Sequence, residues 1–282
     1  MMTSIDPAYL RPRLLHRPEE SHKGDYGHLL VVAGCQTMPG AAVLATGAAL
    51  RSGCGLVTLH STERALQAVV VRDPSAMLSE DPGEYFSHLP AFMDWYSAVA
   101  VGPGLGRAPE TKEALLALLE EVKERSLPLI VDADALNILS ELPDWQAYVP
   151  RGAVLTPHLG ELRRLMPWND ADKRDRLVRS FCTSACCTLV MKGFHTKVFT
   201  PADACLVNTT GNPGLAKGGS GDVLTGLLGG LLARGYAPAD AAALAVWIHG
   251  RAGDILTQER RAEGYSSSDL LGFLSRGFNE LY

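Results

Sequence analysis

The chain has no run of about eighteen apolar residues, so no segment is long and greasy enough to cross a bilayer as a helix. It also lacks a glycine–lysine–serine/threonine triplet, which excludes a Walker-type phosphate loop. Its six cysteines include no C-x-x-C pair. Cys35, Cys54, Cys182, Cys186 and Cys187 therefore read as buried thiols in a reducing compartment, not as metal ligands or disulfides. The imbalance of charge is small too. A net charge of −5 over 282 residues gives no reason to expect nucleic acid or an anionic membrane as partner. The N-terminal stretch mixes acids and prolines without an apolar centre, unlike a secretory signal, so a cytoplasmic protein is expected.

Glycine, by contrast, is concentrated where it carries meaning. Asn208–Asp222 reads NTTGNPGLAKGGSGD, with five glycines. Such a stretch packs poorly and is costly to order, so its use lies in backbone geometry: successive N–H groups can converge on an anion. Val223, Leu224, Leu227, Leu228, Leu231 and Leu232 follow at helical spacing, with Gly235 as a stop. Gly219, Ser220 and Gly221 then form an anion hole at a helix N-terminus, where free N–H groups and the helix dipole favour phosphate. Asp222 falls in the first turn. A lone G-x-G-D is more simply a glycine-rich turn with a helix-stabilising acid, but the added glycines and Lys217 favour phosphate. The dipole is expected to keep Asp222 ionised.

Apolar runs alternate with helical pattern. Leu29–Ala33, Gly55–His60, Ala98–Val101, Leu129–Val131 and Val154–Leu155 read as buried strands, and Gly40–Arg51 as a helix. This alternation predicts a mostly parallel sheet with helices on both faces, binding ligands beyond the strands' carboxyl ends. Leu189–Lys192, Lys197–Thr200 and Cys205–Asn208 are separated by gaps too short for helices, which predicts a late antiparallel meander. Helices over Ser220–Ala233, Ala239–Thr257 and Ser268–Glu280 close the chain. No linker or repeat interrupts it, so one domain over 1–282 is expected.

Three further segments sit at strand ends. In Thr156–Glu161, His158 and Glu161 are fixed by Pro157 and Gly160; Glu161 either caps a helix or orients Mg²⁺ through water. Asp132–Asn137 leaves an apolar strand, with Asp134 read as a helix cap and Asp132 or Asn137 as facing a ligand. Lys192, Gly193, Phe194, His195 and Thr196 form a turn that suits a nucleotide phosphate or ribose, with a plain β-turn as the competing reading. Trp247, His249 and Arg251 are explained by helix packing and receive no chemistry. Gly102–Gly106 does not fit the dinucleotide fingerprint.

Together these segments resemble the ADP/ATP-dependent NAD(P)H-hydrate dehydratases of the ribokinase-like superfamily. The resemblance runs from His22-Lys23-Gly24-Asp25-Tyr26-Gly27 almost to the C-terminus. It passes through Met38–Ala42, Arg51–Val57, Gly102–Gly106, Asp132–Asn137, Thr156–Glu161, Lys192–Thr196 and Gly211–Asp222 in the expected order. It implies a ribokinase-like three-layer α/β sandwich and Mg²⁺-dependent repair of hydrated NADH and NADPH (NADHX and NADPHX), with ADP or ATP as co-substrate. The turn Lys192–Thr196 and Gly221 would contact the adenine nucleotide. Ala42, Gly104, His158 and Asp222 would contact the hydrated dinucleotide, with Asp222 as the base. It also implies a homotetramer, and a stand-alone dehydratase whose epimerase is a separate chain. The rival readings are a vitamin-precursor kinase of the same superfamily and a non-catalytic nucleotide sensor.

Overall fold

A computed structural model describes residues 2–282. Ten strands form one sheet: β1 (Met2–Ile5), β2 (His28–Val32), β3 (Leu56–Thr62), β4 (Met77–Asp81), β5 (Ala98–Val101), β6 (Leu129–Val131), β7 (Val154–Leu155), β8 (Thr188–Met191), β9 (Lys197–Phe199) and β10 (Cys205–Asn208). The helices are α1 (Pro7–Leu10), α2 (Pro39–Leu50), α3 (Glu63–Arg72), α4 (Pro109–Arg125), α5 (Ala133–Leu139), α6 (Leu159–Leu165), α7 (Ala171–Ala185), α8 (Ser220–Ala233), α9 (Pro238–Arg260) and α10 (Ser267–Asn279). Among the described residues no helix is long and apolar enough to cross a membrane.

The strand order is β1-β10-β9-β8-β7-β6-β5-β2-β3-β4. Among the described residues only β9 pairs antiparallel, with β8 and with β10; every other pairing is parallel. The expected meander is therefore one reversed strand, after which β10 and β1 resume the common direction. The chain runs outward from β2 to β4, then returns to place β5 on the other side of β2. That reversal is the switch point at which open α/β sheets bind ligands.

Side chains alternate between two cores, as the two-residue period of a strand requires. Leu29, Val31, Ala98 and Ala100 face one core with α2, α3, α8, α9 and α10. Leu30, Val32, Val99 and Val101 face the other, with α4, α5, α6 and α7. Two strands escape sequence reading for physical reasons. β1 buries only Ile5, and β4 is an edge strand that buries only Asp81, so neither carries an apolar signature.

The element that matters most for the site is α8, and small residues set its depth. A Cβ on Gly226 would lie 1.9 Å from the carbonyl oxygen of Ala45 on α2, and one on Gly230 would lie 1.8 Å from Ser52 Oγ. Glycines four apart thus let two helix backbones approach closely. Gly226→Ala should destabilise the fold by ~1–3 kcal/mol in urea unfolding, because the backbone it strikes cannot swing aside. Gly272→Ala, on the exposed face of α10 with open space around it, should instead stabilise by up to ~1 kcal/mol.

Candidate active site

The carboxyl ends of β6, β7, β8 and β10 and the start of α8 surround a cavity of about 870 Å³. Gly219 opens α8 at φ +87°, a left-handed conformation that a larger residue rarely adopts, and no side chain caps the helix. Ser220 N–H turns back to the carbonyl of Lys217 at 3.3 Å, and Val223 N–H donates to Gly219. The N–H groups of Gly221 and Asp222 donate to no acceptor among the described residues. Of the expected trio, Gly219 and Gly221 thus keep free N–H groups among the described residues, Ser220 does not, and Asp222 adds a further free donor. Lys217 does not reach the anion hole either: its ammonium donates to the carbonyls of Ala262 and Tyr265 and lies over the Tyr265 ring, pinning the loop.

Asp132, at the end of β6, is 1% exposed. It stands at the N-cap of α5 but makes no capping bond. Its Oδ1 accepts from Lys192 Nζ at 2.6 Å, and its Oδ2 from Thr225 Oγ1 on α8 at 2.6 Å. Asp134 accepts from the Gly106 N–H at 2.9 Å, so it ties down a loop instead of capping its helix as expected. Of the two candidates for a ligand-facing residue, Asp132 lines the cavity. Asn137 is taken up by Arg164, which donates to its Oδ1 at 2.8 Å.

His158 and Glu161 form a reciprocal capping box at the start of α6. Glu161 Oε2 accepts from the His158 N–H at 2.8 Å, and His158 Nδ1 accepts from the N–H of Gly160 at 2.9 Å. The capping reading of Glu161 therefore holds, yet the same carboxylate lines the cavity 3.9 Å from Lys192 Nζ. Burial works against the Lys192 charge, but the carboxylates of Asp132 and Glu161 outweigh it and hold the ammonium above its ordinary value.

Asp222 is the unpaired member of this group. Burial and the negative charge of Asp132 raise its pKa to about 7, against the opposing pull of Lys192. The expectation of a permanently ionised Asp222 is overturned, because burial and the Asp132 charge together outweigh the pull of Lys192. No group of three or more His, Cys, Asp or Glu among the described residues is arranged to cage a metal. The Lys192 ammonium already bridges Asp132 and Glu161. With that ammonium in place, Glu161 could meet a Mg²⁺ carried by phosphate oxygens only through water.

The turn Lys192–Thr196 extends β8. Lys192 N–H donates to Pro157 O at 2.9 Å, and Thr196 Oγ1 closes the turn on Gly193 O at 3.0 Å. Phe194 is 82% exposed, with its ring centroid 3.9 Å from that of His195. Ala42 and Gly104 lie outside this cavity, at the adjoining switch point between β2 and β5. Ala42 is fully buried in α2 and presents no surface, while a Cβ on Gly104 would press on Ala41 and Met38. Sequence reading missed His249, which lines the cavity from α9. Its apolar, alanine-rich surroundings carry no signal that a ligand site lies alongside.

The profile of the NAD(P)H-hydrate dehydratase family matches residues 29–276. The chain belongs to that family. It is 35% identical over 271 residues to the ADP-dependent (S)-NAD(P)H-hydrate dehydratase of Bacillus subtilis, covering 95% of each chain. It is 37% identical over 285 residues to the bifunctional NAD(P)H-hydrate repair enzyme of Moorella thermoacetica, covering 96% of this chain and 52% of that one. The chain thus spans about half the length of the bifunctional relatives it matches. Among solved structures, the ADP/ATP-dependent NAD(P)H-hydrate dehydratase of Bacillus subtilis co-crystallised with ATP/Mg²⁺ superposes with a TM-score of 0.85 at 32% identity over 99% of both chains. A ribokinase-like superfamily protein from Enterococcus faecalis gives 0.80 at 25% identity, over 98% of this chain and 96% of that one. The fold is the ribokinase-like sandwich.

The raised pKa of Asp222 has a consequence for stability. The carboxyl titrates at about 7 when folded, against 3.8 for an unperturbed aspartate. Between these values the folded chain holds a proton that the unfolded chain has released. Stability therefore falls as pH rises through that window, and the loss is complete above about 7. At ~1.4 kcal/mol per pK unit, the penalty reaches ~4 kcal/mol. Asp222→Asn should raise the thermal midpoint by several degrees at pH 8.5 and by much less at pH 5, measured by calorimetry.

Proposed function

We propose that the chain dehydrates the S epimer of hydrated NADH and NADPH back to NAD(P)H, using ADP or ATP and yielding AMP or ADP with phosphate. One observation carries the reading: a carboxyl poised near neutrality stands at a helix start where the amides of Gly221 and Asp222 are free, inside a cavity that also holds a lysine ammonium. This is the equipment for passing a phosphoryl group to a hydroxyl.

Hydroxide leaves the hydrated ring slowly because it is a poor leaving group. In the proposed sequence the ring hydroxyl oxygen attacks the terminal phosphorus while Asp222 takes the hydroxyl proton. The P–O bond to the donor breaks, and its electrons stay with the AMP or ADP formed. The ring nitrogen lone pair then expels the new phosphate, the C–O electrons leaving with it, and loss of a proton from the neighbouring carbon restores the reduced nicotinamide. A base near pKa 7 suits this step better than an ordinary aspartate, which is ionised but weakly basic. Lys192 and the N–H groups of Gly221 and Asp222 neutralise the equatorial oxygens of the group in transit. Mg²⁺, when bound, would shield the same charge from the phosphate side, with Glu161 orienting its water.

Lys192, Gly193, Phe194, His195, Thr196 and Gly221 are assigned to the adenine nucleotide, with Phe194 as an exposed aromatic surface for a base. Ala42, Gly104, His158 and Asp222 are assigned to the hydrated dinucleotide, which would reach the cavity from the switch point. The reading includes one domain over these residues, a homotetramer in the cytoplasm, and an epimerase activity as functional partner.

Incubation with hydrated NADH, Mg²⁺ and ADP or ATP should restore the near-ultraviolet absorbance of the reduced nicotinamide. Asp222→Asn should lower that rate by about 10²–10⁴-fold, with nucleotide affinity largely kept. Near-normal turnover in the variant would remove the base role. Phosphorylation of another small alcohol, with no absorbance recovery, would replace the dehydratase reading by a kinase.

A further inference from the structure

His249 is a buried titratable group on the cavity wall that the reaction leaves unused. Its Nε2 lies 3.0 Å from the carbonyl oxygen of Ser220 and 3.2 Å from Ser220 Oγ. A carbonyl oxygen only accepts, so Nε2 carries the hydrogen and donates. Burial prevents a second protonation, pushing the ring's pKa down to about 4. A neutral ring protonated on Nε2 has a bare lone pair on Nδ1. That nitrogen bonds to none of the described residues, yet it is not among the enclosed unpaired atoms. It opens onto the cavity.

The polar neighbours on this wall are already engaged. Asn208 Nδ2 donates to the carbonyls of Thr210 and Val246, and Thr210 Oγ1 to that of Trp247 at 2.9 Å. Nδ1 is left as an acceptor waiting for a donor. Its place beside Ser220, in the helix turn assigned to the phosphates, indicates which donor. In an adenine nucleotide the ribose follows the phosphates directly, while the base amine lies farther out.

We propose that His249 is a specificity-determining residue of the nucleotide site, its Nε2–H bracing the first turn of α8 and its Nδ1 accepting a hydrogen bond from a ribose hydroxyl. This rests on reading the cavity as the adenine-nucleotide site.

Titration calorimetry separates the two claims, since binding does not require turnover. Wild type, His249→Phe and His249→Gln are titrated with ADP, 2′-deoxy-ADP, 3′-deoxy-ADP and inosine diphosphate. Wild type should bind one deoxy analogue about fivefold to tenfold more weakly than ADP, the worth of one hydrogen bond. His249→Phe should bind ADP and that analogue alike, and His249→Gln, which keeps an acceptor, should recover part of the preference. Equal binding of ADP and both deoxy analogues by wild type overturns the proposal. So does a ribose preference that survives in His249→Phe. A preference against inosine diphosphate alone, lost in His249→Phe, would give the lone pair to the base amine and overturn the ribose assignment. If His249→Phe does not fold, the wild-type preference and the His249→Gln response decide. If wild type does not bind ADP at all, the nucleotide reading itself fails.

Discussion

Three carboxylates share one ammonium beneath the first turn of α8, and the chemistry of the site follows from that imbalance. Asp132 takes the Lys192 charge at 2.6 Å and is further held by Thr225. Glu161 stands at 3.9 Å from the same nitrogen. Asp222 is left without a partner of its own, in a place where burial already disfavours charge. A buried carboxylate in that position keeps its proton until near neutrality. The cluster therefore exchanges stability for a base tuned to its working range.

The fold delivers this cluster by bringing four chain segments to one edge. β6, β7 and β8 are parallel neighbours, so Asp132, His158 and Lys192 emerge side by side. The α8 terminus can join them only because Gly226 and Gly230 let the helix sink against α2. At Gly221 the absent side chain admits the cluster itself: a Cβ there would lie 3.3 Å from Lys192 Nζ. Helix packing and electrostatics are thus coupled through one element. The loop Gly211–Lys217 is held too, with Asp254 accepting from the Gly211 N–H at 3.0 Å and from Asn212 at 2.8 Å.

Much of this was legible in the residues. Parallel strands buried on both faces announce themselves as short Val/Leu/Ala runs, and the helix Ser220–Ala233 was bounded by its glycines and its apolar spacing. The edge strands β1 and β4 were not, because they bury one residue each. The segments of the site were found because they combine glycine or proline with ionisable residues at strand ends. Their partners were not found. That Asp134 binds the Gly106 N–H, that Lys217 turns away to Tyr265, and that His249 reaches the cavity are all long-range pairings. The ionisation of Asp222 was misjudged for a related reason: a helix dipole can be read from sequence, whereas the depth of burial that opposes it cannot.

The pH dependence of kcat/KM for dehydration, compared between wild type and Asp132→Asn, addresses the central claim most directly, since this parameter reports groups ionising in the free enzyme. In wild type the rate should rise with pH along a limb centred near 7, the value at which Asp222 titrates. Removing the Asp132 charge that raises it should move the limb to lower pH. A wild-type limb in the ordinary carboxylate range, or one that stays in place in Asp132→Asn, would contradict the account.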